Sequence, residues 1–123
     1  MKPLEKLYID RAVWCRGDVN NGRSKSSAMV TDKGSMCCLG FIGKACGIKK
    51  EDMLNVSVPY LLEGKASKIW PAPNYYRGPL SDYKPIDDLV AVNDSLDISE
   101  STREKRITSL MKKAGVKVTF YGK

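Results

Sequence analysis

Four cysteines and no histidine set the first limits on the chemistry open to this chain. Three of the cysteines, Cys37, Cys38 and Cys46, lie with four glycines in the fourteen residues from Gly34 to Gly47; the fourth is Cys15. Without histidine, catalytic triads, proton shuttles and most metal sites lose their commonest component. Zinc held by cysteine alone needs four thiolates arriving as converging pairs of CxxC type. This chain has one lone cysteine, an adjacent pair, and a fourth nine residues after Cys37, which on a helix lies half a turn out of phase with it. No metal site is predicted. Buried free thiols are the expected state, since adjacent Cys37 and Cys38 do not readily pair with each other.

Carboxylates offer little more. Asp87/Asp88 and Glu51/Asp52 are neighbours in sequence, and adjacent residues on a helix diverge by about 100° rather than sharing a site. Neither a GxxxxGK[ST] phosphate loop nor a GxGxxG fingerprint occurs. The reading is therefore of a non-enzymatic protein with no cofactor. The sharpest chemical hypothesis is an anion site. If Ser35 caps a helix, its unpaired N–H groups and positive dipole end would attract an anion and lower the pKa of Cys37 or Cys38. Arg16 and Arg23, from the basic stretch CRGDVNNGRSKSS, would complete a phosphate or carboxylate pocket. By itself that stretch reads first as an exposed connector and only then as a binding element.

The elements that would position these residues belong to one domain, residues 1–123. A chain of 123 residues with 42% hydrophobic and 28% charged residues can bury a core of its own. No apolar run approaches the roughly 18 to 20 residues that span a bilayer, and the N-terminus MKPLEKLYIDR carries charge where a signal peptide is apolar. A cytoplasmic protein without membrane contact is expected. The net charge of +7 is unevenly spread. Residues 1–50 hold ten basic and four acidic residues, 51–98 four and eight, and 99–123 seven and two. If the two basic ends meet in the fold they make one basic face suited to phosphate-bearing or acidic partners.

A helix is predicted over 3–14, with Leu4, Leu7, Tyr8 and Ala12 as its apolar stripe. Residues 27–31 (SAMVT) suggest a short strand, followed by a turn at Asp32-Lys33-Gly34. A helix over 36–46 is preferred to a second hairpin strand, because its glycines are poor strand material; Gly47 would end it in the left-handed conformation, and Gly40 and Gly43 would admit close neighbours. Further helices are expected over 50–56 and 85–92, with Asn93-Asp94-Ser95 as a break. The clearest helix follows: Ser101 and Glu104 have capping-box spacing, Ile107, Leu110, Met111 and Ala114 share one face, and Gly115 stops it. Val116, Val118 and Phe120 then alternate with polar neighbours as a strand. The expected fold class is α+β: a short antiparallel sheet pairing about 27–31 with 116–121, packed against three or four helices.

Residues 64–83 form an irregular segment rich in proline and aromatic residues, with Trp70, Tyr75, Tyr76 and Arg77. It reads either as a partner-binding surface, since Trp, Tyr and Arg dominate interface hot spots, or as a satellite cluster folded back on the core. Trp14-x-Arg16-Gly17, MCCLGF at 36–41, Gly47, Val92-Asn93-Asp94 and the terminal helix and strand resemble a group of short uncharacterised phage and prophage proteins. The resemblance covers roughly 11–56 and 89–121, and implies a small accessory protein acting on the host by binding a host or defence-system component. The expected function is thus a binding protein engaging a host macromolecule through a basic face and the aromatic segment. The first alternative is a small-ligand binder sequestering a nucleotide or other phosphate compound at the Ser35–Cys38 helix end, and the second is nonspecific nucleic-acid binding.

Overall fold

The computed structural model of the chain describes residues 5–17, 19, 28–56 and 84–122. The segment 64–83 with Trp70, Tyr75, Tyr76 and Arg77, and Arg23 in the basic stretch, lie outside the described residues. Element order is β1 (Lys6–Asp10), α1 (Cys38–Ala45), α2 (Lys50–Met53), α3 (Lys84–Asp94), α4 (Glu100–Lys113) and β2 (Lys117–Tyr121).

The first correction concerns β1. The helix expected over 3–14 is a strand in its described part, because Leu7 and Ile9 are both buried while Lys6 and Tyr8 between and before them face out. That is a period of two, and a helical stripe through Leu7 and Tyr8 would have left Ile9 on the polar side.

The second correction concerns the sheet. β2 does not pair antiparallel with 27–31; it pairs parallel with β1, in the register Lys6↔Lys117, Leu7↔Val118, Tyr8↔Thr119, Ile9↔Phe120 and Asp10↔Tyr121. Two strands from opposite ends of the chain can run parallel because the whole helical region serves as their crossover. Residues 28–31 instead run beside the end of α2. Met29 N–H donates to Val56 O at 2.7 Å, Asn55 N–H to Val30 O at 2.9 Å, and Val30 forms an isolated parallel bridge with Leu54. The expected turn follows, with Gly34 at φ +83° and its N–H on Thr31 O.

The apolar face of the sheet is covered by helices: α1 packs against β1, α4 against β2, and α3 lies against both helices. The helix expected over 36–46 forms as α1, which buries Cys38, Leu39, Phe41 and Ile42 and passes at Gly47 into the left-handed region, φ +92°. Its two glycines do admit close neighbours. A Cβ on Gly40 would overlap the Met29 carbonyl oxygen, and one on Gly43 would overlap the Met53 sulfur. In α4, Ile107, Met111 and Ala114 are buried as expected. Its N-cap is Ser99, two residues upstream of the expected Ser101, with the hydroxyl accepting from Thr102 N–H at 3.1 Å. Gly115, at φ +81°, turns the chain from α4 into β2.

Candidate functional site

The expected anion pocket at the start of α1 is the first place to look. The N-cap is Cys37 rather than Ser35, and it makes no side-chain capping bond. Ser35 belongs to the preceding turn, with its N–H on Thr31 Oγ1 at 3.1 Å. Just inside the cap, the Cys38 N–H donates to Asn93 Oδ1 at 3.2 Å, so the carboxamide of α3 stands where an exogenous anion would approach.

The thiols run opposite to expectation. Burial pushes Cys37 up to about 12, with Cys15 adding to the shift, and carries Cys38 well above the usual thiol range. The negative charge of Asp94 raises both further, and the helix-end N–H groups lower them too weakly to compensate. Cys46 is also raised by burial, though it is only half-buried. None of the four cysteines is in a disulfide; Cys15, Cys37 and Cys38 are buried, and Cys37 and Cys38 are neutral packing groups rather than nucleophiles.

Asn93 is the centre of a buried polar network. It is 1% exposed, accepts from Trp14 Nε1–H at 2.8 Å as well as from Cys38, and donates through Nδ2 to Cys15 O and Asp94 Oδ1, both at 3.1 Å. Its carbonyl accepts from Gly17 N–H at 2.8 Å.

Two buried arginines close the network. Arg103, 2% exposed, reaches back from α4 to the C-terminal carbonyls of α3, donating Nη1 to Val92 O (2.7 Å) and Asn93 O (2.8 Å) and Nη2 to Ser95 O (2.7 Å). Arg16 stacks over the Trp14 ring at 4.5 Å and donates to Trp14 O at 2.6 Å and Arg11 O at 3.0 Å. Glu100 bridges both, with Oε2 at 2.9 Å from Arg16 Nε and Oε1 at 3.3 Å from Arg103 Nε. Gly17 must be glycine at this junction, since φ is +52° and a Cβ would stand 2.9 Å from Arg103 Nη2.

Arg16 is therefore placed in this network, and the Cys38 N–H end is held by Asn93. Sequence reasoning read Asn93 only as a helix break and gave Arg103 no role. The signal was the motif pieces themselves, because Trp14-x-Arg16-Gly17 and Val92-Asn93-Asp94 meet here and lock each other.

The solvent side of the sheet is the other region of interest. The two basic ends of the chain do meet. Lys6 stands opposite Lys117 at the start of both strands, and Lys112 and Lys113 close α4 immediately before β2. All four are exposed, with exposed Glu5 as the acidic neighbour of Lys6. The same face carries Tyr8 and Tyr121, 58% and 50% exposed. Both carboxylates of α4 are paired with arginines, Glu100 as above with its side chain still 44% exposed and Glu104 with Arg11 at 2.8 Å, while Lys105 and Arg106 are exposed. An open depression of about 600 Å³ nearby is lined by Arg11, Ser101, Glu104, Lys105, Thr108 and Phe120.

Among the described residues no cluster of three or more His, Cys, Asp or Glu side chains could hold a metal ion, and no helix is long and apolar enough to cross a membrane. No family model matches the chain, no curated protein matches it, and no solved structure does.

Proposed function

We propose that the chain is a non-enzymatic binding protein that engages an acidic or phosphate-bearing macromolecule through the basic end of its sheet. The observation that carries this reading is the parallel register of β1 and β2, which sets exposed Lys6 opposite exposed Lys117, four residues of chain after Lys112 and Lys113 end α4. Lys6 and Lys117 side by side, the latter in a C-terminal stretch that also exposes Lys112 and Lys113, create a local positive potential that steers anionic surfaces toward them. The two carboxylates of α4 are already paired with arginines, Glu100 with Arg16 and Arg103 and Glu104 with Arg11.

The motif resemblance adds the setting: a phage-type accessory protein meeting a host or defence-system component in the cytoplasm, with Trp70, Tyr75, Tyr76 and Arg77 as a second contact. Sequestration of a nucleotide at the α1 N-terminus is less well supported, because the ligand would have to displace the Asn93 carboxamide beside Asp94.

The test is affinity capture from host lysate with the wild-type chain and with a variant carrying Lys6→Glu, Lys112→Glu, Lys113→Glu and Lys117→Glu. The expected result is a specific partner enriched by the wild type and lost with the variant. Equal enrichment by both would remove the basic end from the reading.

A further inference from the structure

We propose that the outward face of the two-stranded sheet is a stacking platform for single-stranded nucleic acid, with Tyr8 and Tyr121 as base plates and Lys6 and Lys117 as phosphate contacts; the inference rests on the basic-surface reading above and narrows its partner. Leu7, Ile9 and Val118 turn toward the helices and are buried. Lys6, Tyr8, Lys117, Thr119 and Tyr121 therefore form the opposite face, exposed to solvent. A tyrosine at least half exposed on a strand has given up much of the burial that an aromatic ring ordinarily gains on folding. Two such rings on one bare sheet face make an unusual surface.

Their spacing suits an unstacked strand. Tyr8 is opposite Thr119, so Tyr121 lies one strand across and two residues further along. With strands about 4.8 Å apart and a rise of about 3.3 Å per residue, their Cα atoms are separated by about 8 Å. Aromatic side chains can reach each other across such a diagonal, but Tyr8 and Tyr121 make no ring contact with each other, which leaves each ring face open to one base of an extended chain.

The lysines supply charge complementarity at one end of the same face. Lys6 and Lys117 are cross-strand neighbours, and Lys112 and Lys113 end α4, the helix that leads into β2. A backbone leaving the tyrosine plates toward that end meets the Lys6 and Lys117 ammonium groups. Asp10, opposite Tyr121, turns Oδ1 to the Ala12 N–H at 3.0 Å, which ties its carboxylate into the turn after β1. Glu5 is the acidic group at the basic end. Sheet-borne aromatics flanked by lysines read bases through their π-faces and phosphates through charge, so single strands are preferred over duplex, whose bases are already stacked.

The experiment is fluorescence anisotropy at 50 mM salt with three labelled probes: a dT20 oligonucleotide, a 20-base-pair duplex and polyglutamate. The expected result is tighter binding of dT20 than of duplex. Tyr8→Ala and Tyr121→Ala should each weaken dT20 at least about five-fold while leaving the salt dependence unchanged. Lys6→Gln with Lys117→Gln should reduce the slope of log K against log salt by about 1.4, the value for two phosphate contacts on a single strand. All four side chains are exposed, and unchanged melting curves would confirm that the variants are folded. Tyrosine variants that bind dT20 like the wild type, or duplex bound as tightly as dT20, would overturn the platform. Binding of polyglutamate but not dT20 overturns it as well, and leaves the basic-surface reading standing. Failure of all three probes sinks both.

Discussion

The network around Asn93 and the outer face of the sheet are built from overlapping residue types used in opposite directions. In the network, arginine, glutamate, asparagine and tryptophan satisfy one another and the main chain at 2.6 to 3.3 Å, leaving Arg16 and Arg103 less than a tenth exposed. On the sheet, Lys6, Tyr8, Lys117 and Tyr121 are exposed and make no side-chain hydrogen bond or ion pair among the described residues. The residues richest in apparent chemistry are thus the scaffold. Tyr8, expected in the apolar stripe of a helix, is instead on the exposed surface. An arginine in a glycine-rich stretch suggests ligand binding until its five donors are counted against nearby carbonyls. A buried guanidinium with a carboxylate and three main-chain acceptors is a clamp between elements. It joins the end of α3 to the start of α4 and to the segment after β1.

The comparison can be broken most forcefully at Asn93. Asn93→Ala removes the acceptor shared by Trp14 Nε1–H and Cys38 N–H and the donor to Cys15 O, and should cost about 3 kcal/mol in urea denaturation. A loss below about 1 kcal/mol would mean that the network is not what holds α1, α3 and the Trp14 segment together.

Gly17→Ala comes next. It forces a side chain to φ +52° and pushes on the Arg103 guanidinium, for an expected loss of about 2 kcal/mol by the same measurement. Combined with Arg103→Ala, the alanine at 17 should cost less than it does alone, since one of its two obstacles has gone.

The buried thiols give a smaller, pH-dependent effect. Cys37 titrates near 9.0 in the unfolded chain and at about 12 in the folded one. Below pH 9 both states are protonated and stability is at its full value. Above it the unfolded state loses its proton first, so stability falls by roughly 1 kcal/mol per pH unit as pH rises from 9 toward 12. Cys38, shifted the same way, adds to the slope. Thermal melts across this range check it, and Cys37→Ala should flatten the dependence. Under native conditions a thiol reagent should label Cys46 first, while Cys15, Cys37 and Cys38 react only on unfolding.

The smallest effects belong to the outer face. Tyr8→Ala and Lys117→Gln should each change stability by less than about 1 kcal/mol, the range of cross-strand pair energies and exposed substitutions. A larger loss would show that the face is structural after all, and would erase the contrast with the Asn93 network.

Local pattern alone determined much of the helical region. The alternation of Val116, Val118 and Phe120 marked β2. The apolar stripe of Ile107, Met111 and Ala114 with Gly115 marked α4, and Gly40, Gly43 and Gly47 marked a closely packed helix with a left-handed end. Each of these signals lies within a few residues, where backbone sterics and side-chain period act directly. Only the tertiary structure decided that KLYID is a strand, because the same five residues fit either period until Val118 and Phe120 offer a partner in register. It also decided that the sheet is parallel, since strand direction depends on how the whole crossover between residues 10 and 117 runs. The roles of Arg16, Asn93 and Arg103 were fixed in the same way. A polar side chain carries the same donors whether it faces solvent or a neighbouring carbonyl, and which it faces is set by contacts 8 to 84 residues away in sequence.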